Sequence, residues 1–361
     1  MLNIVAIDGR LINQTGVGRY TRNLYAGLNK IDKKNKYLLL KPKIAWHSLS
    51  EQIIFPLWLL SQKIDLIHFP YFSFPLLCPK KFVVTIHDLI PWHFKTGKAS
   101  ALPVWLYSIK HFFYKQLLYW GARRAKKIVA VSQYTKKEII KCLKVKPEKV
   151  SVIYEGVDEK ILNTKNQISK KHIKNEKSNN KYFLYVGNAY PHKNLERLIN
   201  AFIEFFNHHS SSITPKLILV GPDDYFYKKL KIKVKQLGLH NRIIFYGPAS
   251  DEQLAGLYKN ALAFISPSLM EGFGLPGLEA MACGCPVVCS KIEVFKEIYG
   301  EAALFFDPKD KEDIKSKIKE ITNSKEKRQM LVKKGLIQLN KYSWKKCAQQ
   351  TLKIYESSFS L

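Results

Sequence analysis

Acidic residues are scarce. The 361-residue chain carries 29 Asp and Glu against 59 Lys and Arg, a formal net charge of +30. Such an excess concentrates anions near the surface through the summed field. Nucleic acid, acidic lipid headgroups and phosphorylated substrates all fit the sign, and a Lys-rich coding bias would produce it with no partner at all. Zinc-finger, RNP and helix-turn-helix signals are missing, so no specific nucleic acid is expected. Cysteines are few: Cys78, Cys142, Cys283, Cys285, Cys289 and Cys347 are scattered or set in apolar sequence. The close trio of Cys283, Cys285 and Cys289 has no His or Cys pair at zinc-finger spacing and reads as small core residues. Long apolar runs are absent too, none reaching the roughly 18 residues that span a bilayer. The longest, Ile53 to Leu60, holds a proline and is followed by Gln62, Lys63 and Asp65. No signal peptide opens the sequence, since Met1 to Gly9 reads as a short apolar strand with an aspartate near its end. A reducing, cytoplasmic compartment is the expectation, with peripheral attachment to the inner face of the membrane left open.

What the sequence does have is alternation. In the first half, apolar runs at Asn3–Ile7, Lys36–Leu40, Ile64–His68, Phe82–Ile86, Lys127–Val131 and Val150–Tyr154 are separated by helical stretches, the first at Gly16–Leu28. Short strands divided by helical patterns predict parallel strands joined by crossover helices. From Asn163 to Lys181 the chain is almost free of apolar residues and reads as a solvated linker. The alternation then restarts with strands at Tyr182–Val186, Lys216–Val220, Arg242–Tyr246, Ala261–Ser266, Pro286–Cys289 and Ala303–Phe306, and a helix at Leu195–Asn207. Three of these strands run into a glycine, Gly187, Gly221 or Gly247. Open parallel sheets build ligand crevices at such carboxyl ends. The expected fold class is α/β, with two Rossmann-like domains whose parallel sheets face an interdomain cleft. The expected boundaries are an N-terminal acceptor domain over 1–162, the linker over 163–181, a C-terminal donor-nucleotide domain over 182–341, and a last helix, 342–361, crossing back to the first domain.

The strongest local signal runs from Glu271 through Gly272, Phe273, Gly274, Leu275, Pro276 and Gly277 to Glu279. Glycines and a proline at a helix start present backbone N–H groups without intrahelical partners, and the positive end of the dipole suits a phosphate or a polarised hydroxyl. Glu279, expected within the first turn, can accept from a ribose diol, while Glu271 meets another part of the ligand. His87 ends an apolar strand and reaches a crevice, or is a satisfied core histidine. Asp88 either sets its tautomer or caps the following turn. The loop Gly16-Val17-Gly18-Arg19 lacks the third glycine of the dinucleotide fingerprint, which disfavours a nicotinamide dehydrogenase. From Leu102 to Trp120 aromatic residues crowd together and Arg123, Arg124, Lys126 and Lys127 follow. That composition fits an interfacial helix at anionic lipid, or a core helix.

With Glu271 and Glu279 separated by seven intervening residues, EGFGLPGLEAMACGCPVV resembles the paired-glutamate motif of the retaining family 4 glycosyltransferases of GT-B fold, mannosyltransferase-like members in particular. GRLINQTGVGRYTRNL, FVVTIHDLIP, AVSQYTKKEI, VIYEGVD, YVGNAYPHKNLERLINAF and YSWKKCAQQTLKIYES resemble further family segments in the expected order, over nearly the whole chain.

The resemblance implies that Glu279 binds the donor ribose and Glu271 the transferred sugar, and that backbone N–H groups near Phe273, Gly274 and Leu275 hold sugar hydroxyls or the diphosphate. Lys193 matches the diphosphate-binding lysine, His87 lies next to the donor sugar, and Gly16, Gly18 and Arg19 border diphosphate and acceptor. His87, Glu271 and Lys193 form the implied catalytic set. Asn188 departs from the pattern, standing where many members carry an arginine, so His192 or another cation must supply the charge or the phosphates are held more weakly. The implied activity moves a hexose from a nucleotide-diphosphate sugar, GDP-mannose favoured, to a saccharide or lipid-linked saccharide in polysaccharide or glycolipid assembly. No Asp-x-Asp clamp stands in a suitable place, so neither a metal nor another cofactor is expected. Charge alone would also fit a nucleic-acid-binding protein or a membrane-surface scaffold without catalysis.

Overall fold

Isoleucine, valine, leucine and phenylalanine fill runs too short for helices, and burial on both faces explains their continuous apolar character. The structure, a computed structural model, describes residues 2–14, 16–94, 104–158, 161, 181–207 and 215–359. The polar stretch read as a linker lies outside the described residues up to 180. The chain divides into two compact units. The first comprises Met1–His93, Ala101–Gly156 and Tyr342–Leu361, and the second Phe94–Ser100 and Val157–Lys341.

In the first unit, strands β1 (Ile4–Asp8), β2 (Lys36–Leu40), β3 (Leu66–Phe69), β4 (Lys81–Ile86), β5 (Lys127–Ala130) and β6 (Val150–Val152) form one sheet in the order β2-β1-β3-β4-β5-β6. Every neighbouring pair is parallel, as with Ile7 opposite His68 and Thr85 opposite Val129. Helices α1 (Gly16–Ile31), α2 (Leu49–Ser61), α3 (Ile90–His93), α4 (Val104–Arg124) and α5 (Gln133–Leu143) supply the crossovers. Ser48 caps α2 by accepting from Glu51 N, and Ser132 caps α5 by accepting from Thr135 N.

In the second unit, β7 (Tyr182–Val186), β8 (Lys216–Val220), β9 (Ile243–Gly247), β10 (Ala263–Ser266), β11 (Val287–Ser290) and β12 (Ala303–Phe306) form a parallel sheet in the order β12-β11-β10-β7-β8-β9. Between them run α6 (Leu195–Asn207), α7 (Tyr225–Gln236), α8 (Asp251–Asn260), α9 (Leu275–Ala282) and α10 (Glu293–Tyr299). After β12 come α11 (Lys311–Asn323) and α12 (Lys325–Gln338). The last helix, α13 (Trp344–Phe359), belongs to the first unit. Its Tyr355 hydroxyl lies 2.6 Å from His68 Nδ1, and His68 Nε2 lies 2.8 Å from Thr85 Oγ1. Burial pulls His68 down to about 3, so the ring is neutral and takes one role at each nitrogen.

The strand order matters for function. Each sheet reverses direction of growth once, between β1 and β3 in the first unit and between β7 and β10 in the second. At such a point the crossover helices leave on opposite faces and a crevice opens at the carboxyl ends. Cys285 and Cys289 are buried and Cys283 half-buried in and around β11, in keeping with the core reading of that trio.

Candidate active site

In the second unit the loops leaving β7 and β10, the two strands at the reversal, are stitched together. Asn194 sits in the left-handed region at φ 58°, and its Nδ2 donates to the carbonyls of Pro267 at 3.1 Å and Pro308 at 2.8 Å. Leu269 N donates to the His192 carbonyl at 2.7 Å. These bonds bring Lys193 and Glu271 together across 78 residues of chain, with Nζ donating to Oε1 at 2.5 Å. Ser268 Oγ donates to the same oxygen at 2.7 Å. Both charged side chains are 15% exposed, open enough to exchange partners. Burial alone would raise the Glu271 carboxyl, but Lys193, with His192 and Ser268 behind it, outweighs that and holds it below the usual range. Glu271 is therefore an anion at neutral pH.

The helix that follows, α9, opens at Leu275 with Pro276 in its first turn. Gly274 has φ 97°, and a Cβ there or on Gly277 would lie 2.4 Å from the Tyr299 hydroxyl, which itself donates to the Gly274 carbonyl at 2.6 Å. Glycine is thus imposed at both positions by Tyr299, and the first-turn N–H groups stay unobstructed by side chains. Phe273 is buried beneath this turn. Glu279 lies one turn further in than the sequence suggests: it is the fifth helical residue, because the helix starts at Leu275. The residue is 3% exposed, and its carboxylate accepts from the Tyr258 hydroxyl of α8 at 3.3 Å.

His192 stands next to Lys193 as an uncharged ring. Burial, reinforced by the adjacent Lys193, pulls that imidazole down to about 4, so it is neutral at pH 7. Its Nδ1 is buried without a hydrogen-bond partner. Asn188 serves the loop, its carbonyl accepting from the Tyr185 hydroxyl at 2.6 Å and its Oδ1 from Tyr190 N at 3.3 Å.

In the first unit His87 follows β4. Its Nδ1 lies 2.8 Å from Glu155 Oε1 and its Nε2 lies 2.9 Å from the Pro70 carbonyl. The Pro70 carbonyl only accepts, so Nε2 carries a proton, and Nδ1 faces the Glu155 carboxyl. Burial alone would depress the ring, but the Glu155 carboxylate and the Pro70 carbonyl more than offset it, and the pKa is raised. Asp88 Oδ1 accepts from Ile90 N at 2.8 Å and caps α3, and the Asp88 charge also acts to raise the His87 pKa. Glu155 is the residue sequence reasoning missed. The signal was the Glu-Gly-Val-Asp run just after β6, two strands from β4 in the sheet.

Gly16 and Gly18 begin α1 and differ in kind. A Cβ on Gly18 would meet the Ile12 carbonyl at 2.3 Å, so its glycine is needed for the helix to pack on the preceding loop. A Cβ on Gly16 would meet nothing within 4 Å, leaving open backbone. Arg19 is half-buried in the same first turn. Near β1, Asp8 and Glu51 are both ion-paired to Arg10, at 2.7 and 2.8 Å. This buried cluster also has Arg10 stacked 4.3 Å from the Phe55 ring centroid.

The segment read as interfacial or core is largely exposed where it is described (residues 102 and 103 fall outside). On α4, Trp105 is 66% and Phe113 65% exposed, with Ile109, Phe112 and Trp120 also in solvent. The apolar face of α2 behaves alike, with Leu49 81% and Leu57 64% exposed beside Ile53, Ile54 and Leu60. No described helix is long and apolar enough to cross a membrane.

Comparison with known proteins agrees with this layout. The family described as "Glycosyl transferases group 1" matches residues 166–337, and "Glycosyltransferase Family 4" matches 19–160. The O-antigen chain mannosyltransferase RfbU of Salmonella typhimurium is 32% identical over 293 residues, covering 81% of this chain and 74% of that protein. An uncharacterized glycosyltransferase of Methanocaldococcus jannaschii is 31% identical, over 82% of this chain and 76% of its own. Among solved structures, the sucrose-phosphate synthase of Thermosynechococcus elongatus superposes with a TM-score of 0.77 at 18% identity, covering 99% of both chains. Anabaena HepE in complex with UDP and glucose gives a TM-score of 0.76 at 19% identity, over 99% of this chain and 100% of that one. At such identities these two speak to the shared two-domain GT-B fold alone. Sequence likeness carries the rest: the chain belongs to the group 1, family 4 glycosyltransferases.

Proposed function

We propose that this glycosyltransferase moves a hexose from a nucleotide-diphosphate sugar, GDP-mannose favoured, with retention at the anomeric carbon. The proposed acceptor is a saccharide or lipid-linked saccharide in surface polysaccharide, lipopolysaccharide or glycolipid assembly. One observation carries the reading: Lys193 and Glu271 meet at 2.5 Å beside the amino end of α9, at the reversal point of the second sheet. A diphosphate arriving there competes with Glu271 for the ammonium. Once released, the Glu271 carboxylate is free to accept from hydroxyls of the sugar. As the glycosidic bond breaks, negative charge builds on the departing phosphate, and Lys193 with the first-turn N–H groups of Gly274 and Leu275 neutralises it. The proposed displacement is front-face, with the leaving phosphate oxygen taking the acceptor proton. Protein cations and dipoles do this work in the proposal, with no metal in the transfer step.

Mannose is favoured because the Salmonella relative is an O-antigen chain mannosyltransferase, and the same name favours a saccharide acceptor. The Anabaena neighbour holds UDP and glucose, so the donor base is what an experiment must decide first. We further propose a cytoplasmic enzyme resting on the anionic inner membrane face through α2 and α4, which expose Trp, Phe, Ile and Leu side chains, with Lys110, Lys115, Arg123 and Arg124 on α4 itself. The test is a thermal-shift screen of purified protein against GDP, UDP, ADP and dTDP, followed by transfer assays with the sugars of the base that binds. Stabilisation by GDP and transfer from GDP-mannose are expected. A protein that binds none of these nucleotides and neither hydrolyses nor transfers any of the sugars is not the proposed enzyme.

A further inference from the structure

Outside the residues given roles in transfer, one side-chain cluster of the first unit brings nitrogen, oxygen and sulfur ligands together. Glu138 and Cys142 stand four residues apart on α5, so both project from one face of that helix. His93 ends α3, which begins three residues after His87. Its Nε2 lies 2.5 Å from Glu138 Oε2 and 4.0 Å from Cys142 Sγ, and all three donor atoms fall within 4.8 Å of one another. Cys142 is a free thiol, and the group lies at the surface, with His93 exposed and its two partners half-buried, so an ion has a path in.

We propose that His93, Glu138 and Cys142 form a binding site for a late first-row divalent metal, Zn²⁺ foremost, which clamps α3 to α5. The donor set decides the class of metal. Imidazole, carboxylate and thiolate suit Zn²⁺ or Co²⁺, whereas Mg²⁺ and Ca²⁺ demand oxygen shells that this group does not offer. Spacing agrees: ligand atoms around a tetrahedral ion with bonds of roughly 2.0 to 2.3 Å stand about 3.3 to 3.8 Å apart. The His93–Glu138 pair must open by about an ångström and Cys142 close on His93 by about half of that, with water completing the fourth position. Charge balances, because a carboxylate and a thiolate offset the dication. Binding breaks the S–H bond of Cys142, forms a metal–sulfur bond and releases the proton to solvent. Burial, with Glu138 beside it, raises the Cys142 thiol against the opposing charges of Lys141, Lys115 and Lys144, so the arriving ion itself displaces the proton. The clamp fixes the segment that leaves His87 and takes no part in the transfer step.

Untagged full-length protein, stripped with chelator and titrated with Co²⁺, reads this directly. We expect one equivalent bound, a thiolate-to-cobalt charge-transfer band in the near ultraviolet, displacement by Zn²⁺, and a rise in Tm with either ion. Cys142→Ser should abolish the band, while His93→Ala and Glu138→Gln should keep the thiol yet weaken binding, each with a far-ultraviolet spectrum like that of the parent. No band, a band that survives Cys142→Ser, or affinity unchanged by His93→Ala and Glu138→Gln overturns the proposal. Nucleotide binding is independent of this outcome, so a failed metal site leaves the transferase reading standing.

Discussion

Glu155 holds the imidazole of His87 from two strands away, with Oε1 2.8 Å from Nδ1, while the Pro70 carbonyl takes the other ring nitrogen at 2.9 Å. Burial alone would lower the His87 pKa, but Glu155 and the Pro70 carbonyl outweigh it and raise it in the folded protein. A histidine raised on folding stabilises fully below its ordinary value near 6.5, and that contribution is lost as pH climbs through the raised folded value. Tm should therefore decline as pH rises above about 6.5, and Glu155→Gln should flatten the decline. Three further histidines, His68 and His192 buried and His47 half-buried, act with the opposite sign and in another window. His47 and His192 are pulled to about 4 and His68 to about 3, so their contributions are lost as pH falls below the ordinary value. Melting curves at closely spaced pH separate the two limbs. Equal slopes above neutrality in parent and variant would refute the pairing.

The Lys193–Glu271 pair predicts a split between stability and turnover. Lys193→Ala leaves a largely enclosed carboxylate with Ser268 as its remaining named partner, so both Tm and kcat/KM should fall, the latter about 10²- to 10³-fold. Adding Glu271→Gln removes the orphaned charge and should restore Tm while leaving turnover low. Recovery of turnover together with Tm in the double variant would mean that the pair serves only the fold.

Much of this fold was legible because strands buried on both faces are written as continuous apolar runs. Lys36–Leu40, Tyr182–Val186, Lys216–Val220 and Ala303–Phe306 match their expected limits. Helix α2 was not legible: Pro56 sits inside it, and a five-residue apolar surface left in solvent erases the amphipathic period that marks a helix. The glutamate pair stood out because glycine and proline spacing announces a helix start. Its partners did not, because Ser268, Tyr258 and Tyr299 acquire meaning only when distant strands become neighbours. The same holds for Glu155, which no local pattern links to His87. The loss of charge on His192 is legible only from burial, which one sequence does not print.

Glu279 should govern nucleotide affinity. The residue is 3% exposed and its carboxylate is bonded to Tyr258, so Glu279→Gln, which preserves shape, is the informative change. Losing a charged hydrogen bond to a ribose diol should raise the nucleotide Kd about ten- to a hundredfold. Calorimetry with the preferred nucleotide diphosphate measures it, and unaltered affinity removes the ribose role.

Transfer should survive chelation. If Lys193 and the opening turn of α9 neutralise the leaving phosphate, EDTA leaves the rate unchanged even as it strips any ion from His93, Glu138 and Cys142. Loss of activity with chelator, restored by Mg²⁺, would place a metal in the transfer step.

The exposed faces of α2 and α4 predict binding to anionic bilayers. Apolar side chains such as Leu49, Leu57, Trp105 and Phe113 are too exposed to belong to the core, and basic residues lie among and after them on α4. Near an anionic surface each Lys or Arg contributes about 1 kcal/mol, and inserted aromatic side chains add a part that salt does not screen. Co-flotation with phosphatidylglycerol vesicles should therefore weaken in high salt without vanishing. Replacing Trp105, Phe112 and Phe113 by Ser should remove the salt-resistant fraction and leave nucleotide binding intact. Equal recovery on neutral phosphatidylcholine vesicles, or no change in the triple variant, would show that these helices meet something other than an acidic membrane.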